Sequence, residues 1–127
     1  MTVNLGLIVA ALVLVLMGRW SARRRVQHPV ADIQSSFGGC AVEANVPWET
    51  CRSIIVATAE AFGLEAARLR PTDLMDDLRA WDSWSFGTQS EQLAKRLRED
   101  FGVDELHPFP NTLGDLVIAV GRRARVR

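Results

Sequence analysis

The chain opens with an uncharged apolar run, and no other feature constrains its fold as strongly. Residues 3–18 read VNLGLIVAALVLVLMG, and Arg19, Trp20 and three arginines at 23–25 follow. As a helix, residues 1–20 are about 30 Å long, which matches the hydrocarbon core of a bilayer. The basic residues all follow the run, so the positive-inside rule places them in the cytoplasm. Residues 1–25 are therefore predicted to be a transmembrane anchor with a basic collar.

This anchor predicts a cell-membrane protein with a single span and a cytoplasmic C-terminal domain. A cleaved secretory signal would carry positive charge before the apolar run and an A-x-A-like site after it, and the sequence has neither. A buried helix of a soluble core remains the alternative interpretation.

Length and charge limit what the rest of the chain can do. Of 127 residues, those after the anchor suffice for one small domain, which is too small for a large enzyme core, so no enzymatic activity is predicted. Residues 45–120 carry 13 acidic and 7 basic side chains, a net charge of −6, between two arginine-rich flanks. Next to an anchor, basic flanks fix topology and contact the membrane, and no nucleic-acid partner is predicted. Two cysteines and two histidines match no zinc spacing, so no metal is predicted.

Periodicity divides the remaining chain into a linker, a helical domain and a tail. Residues 26–45 mix Pro, Ser and Gly without apolar periodicity and predict a flexible linker. Apolar residues at steps of three and four predict helices at about 47–62, 88–101 and 111–120, and no stretch alternates like a strand. The predicted fold class is all-α, with a three- to four-helix bundle over residues 46–120 and a basic tail at 121–127.

Three segments of the domain carry a family resemblance. They are LRPTDLMDDL at 69–78, LAKRLREDFGV at 93–103 and NTLGDLV at 111–117. In this order and spacing they resemble the acyl carrier protein family. The resemblance implies a carrier function that depends on a serine in a D-S-L motif at the start of the second helix. In the family this serine is esterified by 4'-phosphopantetheine, whose thiol carries the acyl group.

The position of that serine has two readings in this chain. Counting forward from residues 76–78, Asp82, Ser83 and Trp84 occupy the place of the motif, which makes Ser83 the candidate attachment residue beside Asp82. Counting backward from Phe101, the site falls on Gly87 instead. Either the second helix has an extra N-terminal turn, or the loop has an insertion and lacks the serine. A glycine inside the first helical turn costs about 1 kcal/mol, which favours the insertion.

The two readings predict two functions. With Ser83 modified, the protein is a membrane-anchored acyl carrier protein-like domain that presents an acyl group to partner enzymes. Without it, the protein is a degenerate adaptor that acts only in protein–protein interaction and has no prosthetic group. The aromatic residues Trp81, Trp84 and Phe86 either cover the core beneath the long loop or form an exposed patch for a partner protein.

Overall fold

The computed structural model describes residues 2–25, 28–82 and 88–125, and every regular element in these ranges is helical. A short 3₁₀ turn at Ala66–Arg68 lies between the third and fourth α-helices. The all-α class and the absence of strands from these ranges agree with the sequence. The helices are α1 (Thr2–Arg25), α2 (Ile33–Ala44), α3 (Trp48–Phe62), α4 (Met75–Asp82), α5 (Thr88–Phe101) and α6 (Leu113–Arg125).

The predicted transmembrane anchor is wrong. Among the helices of the described ranges, none is long and apolar enough to cross a membrane. The uncharged apolar run within α1 covers residues 3–18, a length of about 24 Å compared with about 30 Å for a bilayer core. Beyond residue 17 the helix includes Arg19 and the arginines at 23–25. The predicted single-pass topology and cell-membrane location, which depended on this anchor, are therefore wrong as well.

The segment predicted as a flexible linker contains α2 and contributes to the core. Asp32 caps this helix, because its carboxylate accepts hydrogen bonds from the backbone N–H of Ser35 (3.2 Å) and from the Ser35 hydroxyl (3.0 Å). Asn45 ends it in the left-handed conformation, with φ of 57°. Phe37 is fully buried, and Cys40 and Ala41 are buried beside it. Helix α2 packs on α3 and α6, so the linker is shorter than predicted.

Helices α3, α5 and α6 form the predicted bundle around one hydrophobic core. Helix α3 buries Ile54, Ile55 and Phe62, and its Thr58 hydroxyl donates to the Ile54 carbonyl at 2.9 Å. The helix ends at Phe62, as predicted, and Gly63 follows it with φ of 66°. Helix α5 has the predicted bounds of 88–101 and contacts α3 through a face that contains Leu93 and Leu97.

Residues 28–31 are hydrogen-bonded to the long loop at 64–74, which precedes α4. Nε2 of His28 donates to Oδ1 of Asp73 at 2.5 Å, and the Ala31 N–H donates to the Ala67 carbonyl at 3.0 Å. The other Asp73 oxygen accepts from the backbone N–H of Arg70 at 2.7 Å. Asp73 is buried, and its carboxylate joins the loop backbone at Arg70 to the side chain of His28. This loop therefore has a defined conformation over residues 64–74.

Helix α6 extends five residues beyond the predicted end and takes in most of the basic tail. Arg123 donates from its guanidinium to the Glu105 carbonyl at 2.5 Å, and this bond ties the helix end to the loop before it. At the other end of α6, an added Cβ on Gly114 would lie 2.9 Å from Cβ and 3.0 Å from the carbonyl oxygen of Pro71. Only a glycine permits this close approach between α6 and the loop.

Candidate functional site

An apolar cavity of about 330 Å³ is the main candidate binding site in the described residues. It lies between α4, α5 and the loop that joins α5 to α6, and the buried Phe62 of α3 also lines it. Its size falls at the lower end of the range for small-molecule sites, which are mostly apolar with a few polar groups. The apolar lining residues are Phe62, Met75, Leu93, Ala94, Leu97, Val103, Leu106, Phe109 and Leu116.

The local sequence explains why this space forms. Pro108 and Pro110 keep the connection at 102–112 from continuing as a helix, so it runs as an irregular segment over the end of α5. Val103 and Leu106 of this segment are buried and line the cavity together with Leu116 of α6. The cavity is therefore a gap between packed helices and an ordered loop.

The polar groups of the cavity are Arg79, Ser90, Asp104, Glu105 and His107. Nε2 of His107 lies 2.8 Å from a carboxylate oxygen of Glu105, and both side chains are exposed. Asp104 is also exposed and has no ion-pair partner among the described residues. The site thus combines an apolar interior with charged groups that remain accessible to water.

Arg79 has a special position among these groups. Its guanidinium lies 4.1 Å from the centroid of the Phe109 ring, a cation–π contact, and Phe109 itself is 43% exposed. Arg79 forms no ion pair with any residue that the structure describes. Its guanidinium therefore places a positive charge at the cavity, and its N–H groups are hydrogen-bond donors of the kind that a ligand can use.

The structure describes little of the predicted attachment site. Ser83, Trp84 and Phe86 lie outside the described residues, while Trp81 and Asp82 end α4 and only their backbone is described. The two residues nearest to this segment that line the cavity are Arg79 and Ser90, which precede and follow it on α4 and α5. The segment that contains Ser83 therefore connects two residues of the cavity.

The outer face of α5 has a balanced charge. The helix contains three acidic and three basic residues. Lys95 lies 4.0 Å from Glu99, and Arg96 lies 3.5 Å from Asp100 and also pairs with Glu60 of α3. The hydrogen bond to Glu60 raises the pKa of the Arg96 guanidinium. These exposed pairs contribute little to stability, and they leave the outer face of α5 without a uniform negative charge.

The two cysteines are buried and unsuited to thiolate chemistry. Desolvation, followed by the nearby Cys40, raises the pKa of Cys51 from 9.0 to about 11. Burial also raises the pKa of Cys40, with smaller contributions from Glu43 and Asp115. Both thiols are free and buried, Cys51 on α3 and Cys40 on α2, within the range predicted as a linker. Within the described ranges no three His, Cys, Asp or Glu residues are grouped to hold a metal ion.

Comparisons with known proteins add no family assignment. Neither the protein-family models nor the curated proteins nor the solved structures contain a match to the chain. The candidate site therefore depends on its own geometry.

Sequence reasoning missed the residues that shape this site. The two prolines of DELHPFPN at 104–111 indicate a loop, but nothing in this pattern shows that Phe109 contacts Arg79. The available signal was the position of Phe109 between Pro108 and Pro110. An aromatic ring in an irregular loop is a candidate for a contact with another element of the fold. Ala94 is exposed and lies where α5 borders the cavity.

Proposed function

We propose that the protein is an acyl carrier-like domain that holds an acyl group on 4'-phosphopantetheine at Ser83 and presents it to partner enzymes. One observation supports this proposal most directly. The apolar cavity is lined by Arg79 and Ser90, which flank the segment that contains Ser83 in the sequence. A group attached to Ser83 is therefore only a few residues along the chain from two residues that line the apolar cavity.

The cavity has dimensions that suit an acyl chain. A methylene group occupies about the same volume as a water molecule in the liquid, roughly 30 Å³, so 330 Å³ holds about ten methylenes. Each buried methylene gains about 0.8 kcal/mol from the hydrophobic effect. The prosthetic group supplies a thiol that carries the acyl group as a thioester. The role of this chain's own residues is to shelter the apolar tail from water and release it to an enzyme.

A second candidate is the adaptor without a prosthetic group, and the charge balance of α5 favours it. Carriers of the family present an acidic face on this helix to basic patches of their enzymes. In this chain the pairs Lys95–Glu99 and Arg96–Asp100 neutralise that face. A partner of the adaptor would meet a surface of mixed charge.

Intact-mass measurement separates the two candidates. The full chain is incubated with coenzyme A and a broad-specificity phosphopantetheinyl transferase, beside Ser83→Ala and the matched control Ser85→Ala. A carrier gains one phosphopantetheinyl group in the parent and in Ser85→Ala, and none in Ser83→Ala. If the parent gains nothing under conditions that modify a known carrier, the carrier function is refuted and the adaptor remains.

A further inference from the structure

We propose that the cavity is also a non-covalent binding site for a free medium-chain carboxylate, with Arg79 as the anchor for its head group. The inference uses the same cavity as the proposed function but requires no modification of Ser83. It concerns a ligand that arrives from solution.

The shape of the site indicates a single-chain amphiphile. Its interior is formed by buried side chains such as Phe62, Leu97 and Leu116, which offer no hydrogen bond to a polar ligand. The charged groups are confined to exposed residues of α4 and of the loop after α5. A ligand with one apolar tail and one polar end places each part in a matching environment. The volume limits the tail to roughly ten carbons.

The charges indicate a carboxylate as the polar end. Arg79 has no ion pair among the described residues, and its guanidinium carbon lies 4.1 Å from the centroid of the Phe109 ring. A guanidinium pairs with a carboxylate through two parallel hydrogen bonds, which makes this pairing stronger than one with a neutral hydroxyl. Of the two acidic residues at the cavity, Glu105 is already engaged by His107, and Asp104 is exposed to water. A cationic head group would instead be repelled by Arg79.

Calorimetric titration of the full chain with decanoate and with decanol, both below their aggregation limits, tests the proposal. At pH 7.5 decanoate is ionised, and the two ligands have tails of equal length. Arg79→Gln should weaken decanoate binding about tenfold and leave decanol binding unchanged, because only the charged head contacts residue 79. The matched control Arg98→Gln removes an exposed α5 arginine that does not line the cavity, and it should change neither affinity.

A second pair of variants tests whether the apolar tail of the ligand occupies the cavity. Ala94→Trp adds a large side chain at the exposed border of the cavity and should reduce the affinity for both ligands more than tenfold. Gln92→Trp adds the same side chain on the same helix away from the cavity, and it should bind like the parent. Thermal unfolding of each variant checks that the fold is intact. The exposed apolar residues of α1 would bind decanoate and decanol alike, without saturation and without response to either change.

The outcomes separate this inference from the carrier function. Saturable binding of one decanoate that depends on Arg79 and Ala94, and persists in Ser83→Ala, supports the inference whatever the mass measurement shows. Equal losses of decanoate and decanol in Arg79→Gln would overturn the head-group role. The absence of saturable binding to the parent, or its loss in Ser83→Ala, would overturn the inference, while the carrier function would still be decided by the mass shift.

Discussion

Replacing Phe37 with alanine tests whether α2 belongs to the hydrophobic core. This helix lies in a segment whose composition is that of a linker, yet Phe37 is 0% exposed there. The ring belongs to the same buried cluster as Cys51 of α3, whose thiol lies 4.0 Å from the Phe37 carbonyl oxygen. Because of this packing, removal of the ring should lower the free energy of unfolding of the whole domain.

The expected cost follows from two contributions. Exposing a fully buried phenylalanine side chain costs about 2 to 3 kcal/mol in transfer free energy, less the small share that alanine retains. The ring leaves a void of roughly 100 Å³, and at about 24 cal/mol per Å³ this adds about 2 kcal/mol if the helices do not collapse. Phe37→Ala should therefore lower the free energy of unfolding by about 3 to 5 kcal/mol. Small domains have only about 5 to 15 kcal/mol in total.

Urea unfolding, followed by far-ultraviolet circular dichroism, measures this loss in the full chain. The matched control is Val42→Ala on the same helix, because Val42 is 82% exposed and should change the free energy of unfolding by less than about 0.5 kcal/mol. Equal urea midpoints for the two variants would show that α2 does not pack on α3 and α6. The reasoning that placed residues 33–44 in the domain would then be refuted.

Urea unfolding of three further variants tests the hydrogen bonds of Asp73, the close contact of Gly114 with the loop, and the buried thiol of Cys51. Asp73→Ala should cost about 2 to 3 kcal/mol, because it leaves the partly buried donors of His28 and Arg70 without their acceptor, whereas Asp76→Ala at an exposed position should cost less than about 1 kcal/mol. Gly114→Ala should cost about 1 to 3 kcal/mol through its clash with the loop, and Gly38→Ala, whose Cβ meets nothing within 4 Å, should be neutral or stabilising. The raised pKa of Cys51 contributes stability that is complete below pH 9.0 and is lost as the pH rises to about 11. The unfolding free energy of the parent should fall across that interval, and that of Cys51→Ala should fall less.

The sequence predicted the helices with strong periodicity and clear end signals. For α5, the apolar positions Leu93 and Leu97 and the glycine after Phe101 gave the observed bounds. For α3, the periodicity predicted the observed end at residue 62, and Asn45 closes the preceding helix α2. Local signals of this kind work because capping and periodicity are properties of neighbouring residues.

Helix α2 was missed because its stabilisation is not local. Its sequence IQSSFGGCAVEA contains two adjacent glycines, which weaken an isolated helix by about 1 kcal/mol each. Tertiary packing of Phe37, Cys40 and Ala41 compensates for that weakness. The capping pair Asp32 and Ser35 was a readable signal that the composition obscured. The apolar run at 3–18 correctly predicted a helix, α1, but the prediction that this helix crosses a membrane was wrong.

The candidate site was less accessible to sequence reasoning than the fold, because it joins residues that are distant in the chain. Arg79 and Phe109 are thirty positions apart, and neither belongs to a motif. A family pattern directed attention to Ser83, whereas the geometry of the described residues directs it to the cavity that flanks that serine's segment. The serine and the cavity serve the same physical requirement. An acyl group, whether attached or free, needs an apolar space that is closed to water at one end and open to a partner at the other. Ser83→Ala and Arg79→Gln act on different parts of that requirement, so together they distinguish a carrier that is loaded by an enzyme from a protein that binds its ligand directly from solution.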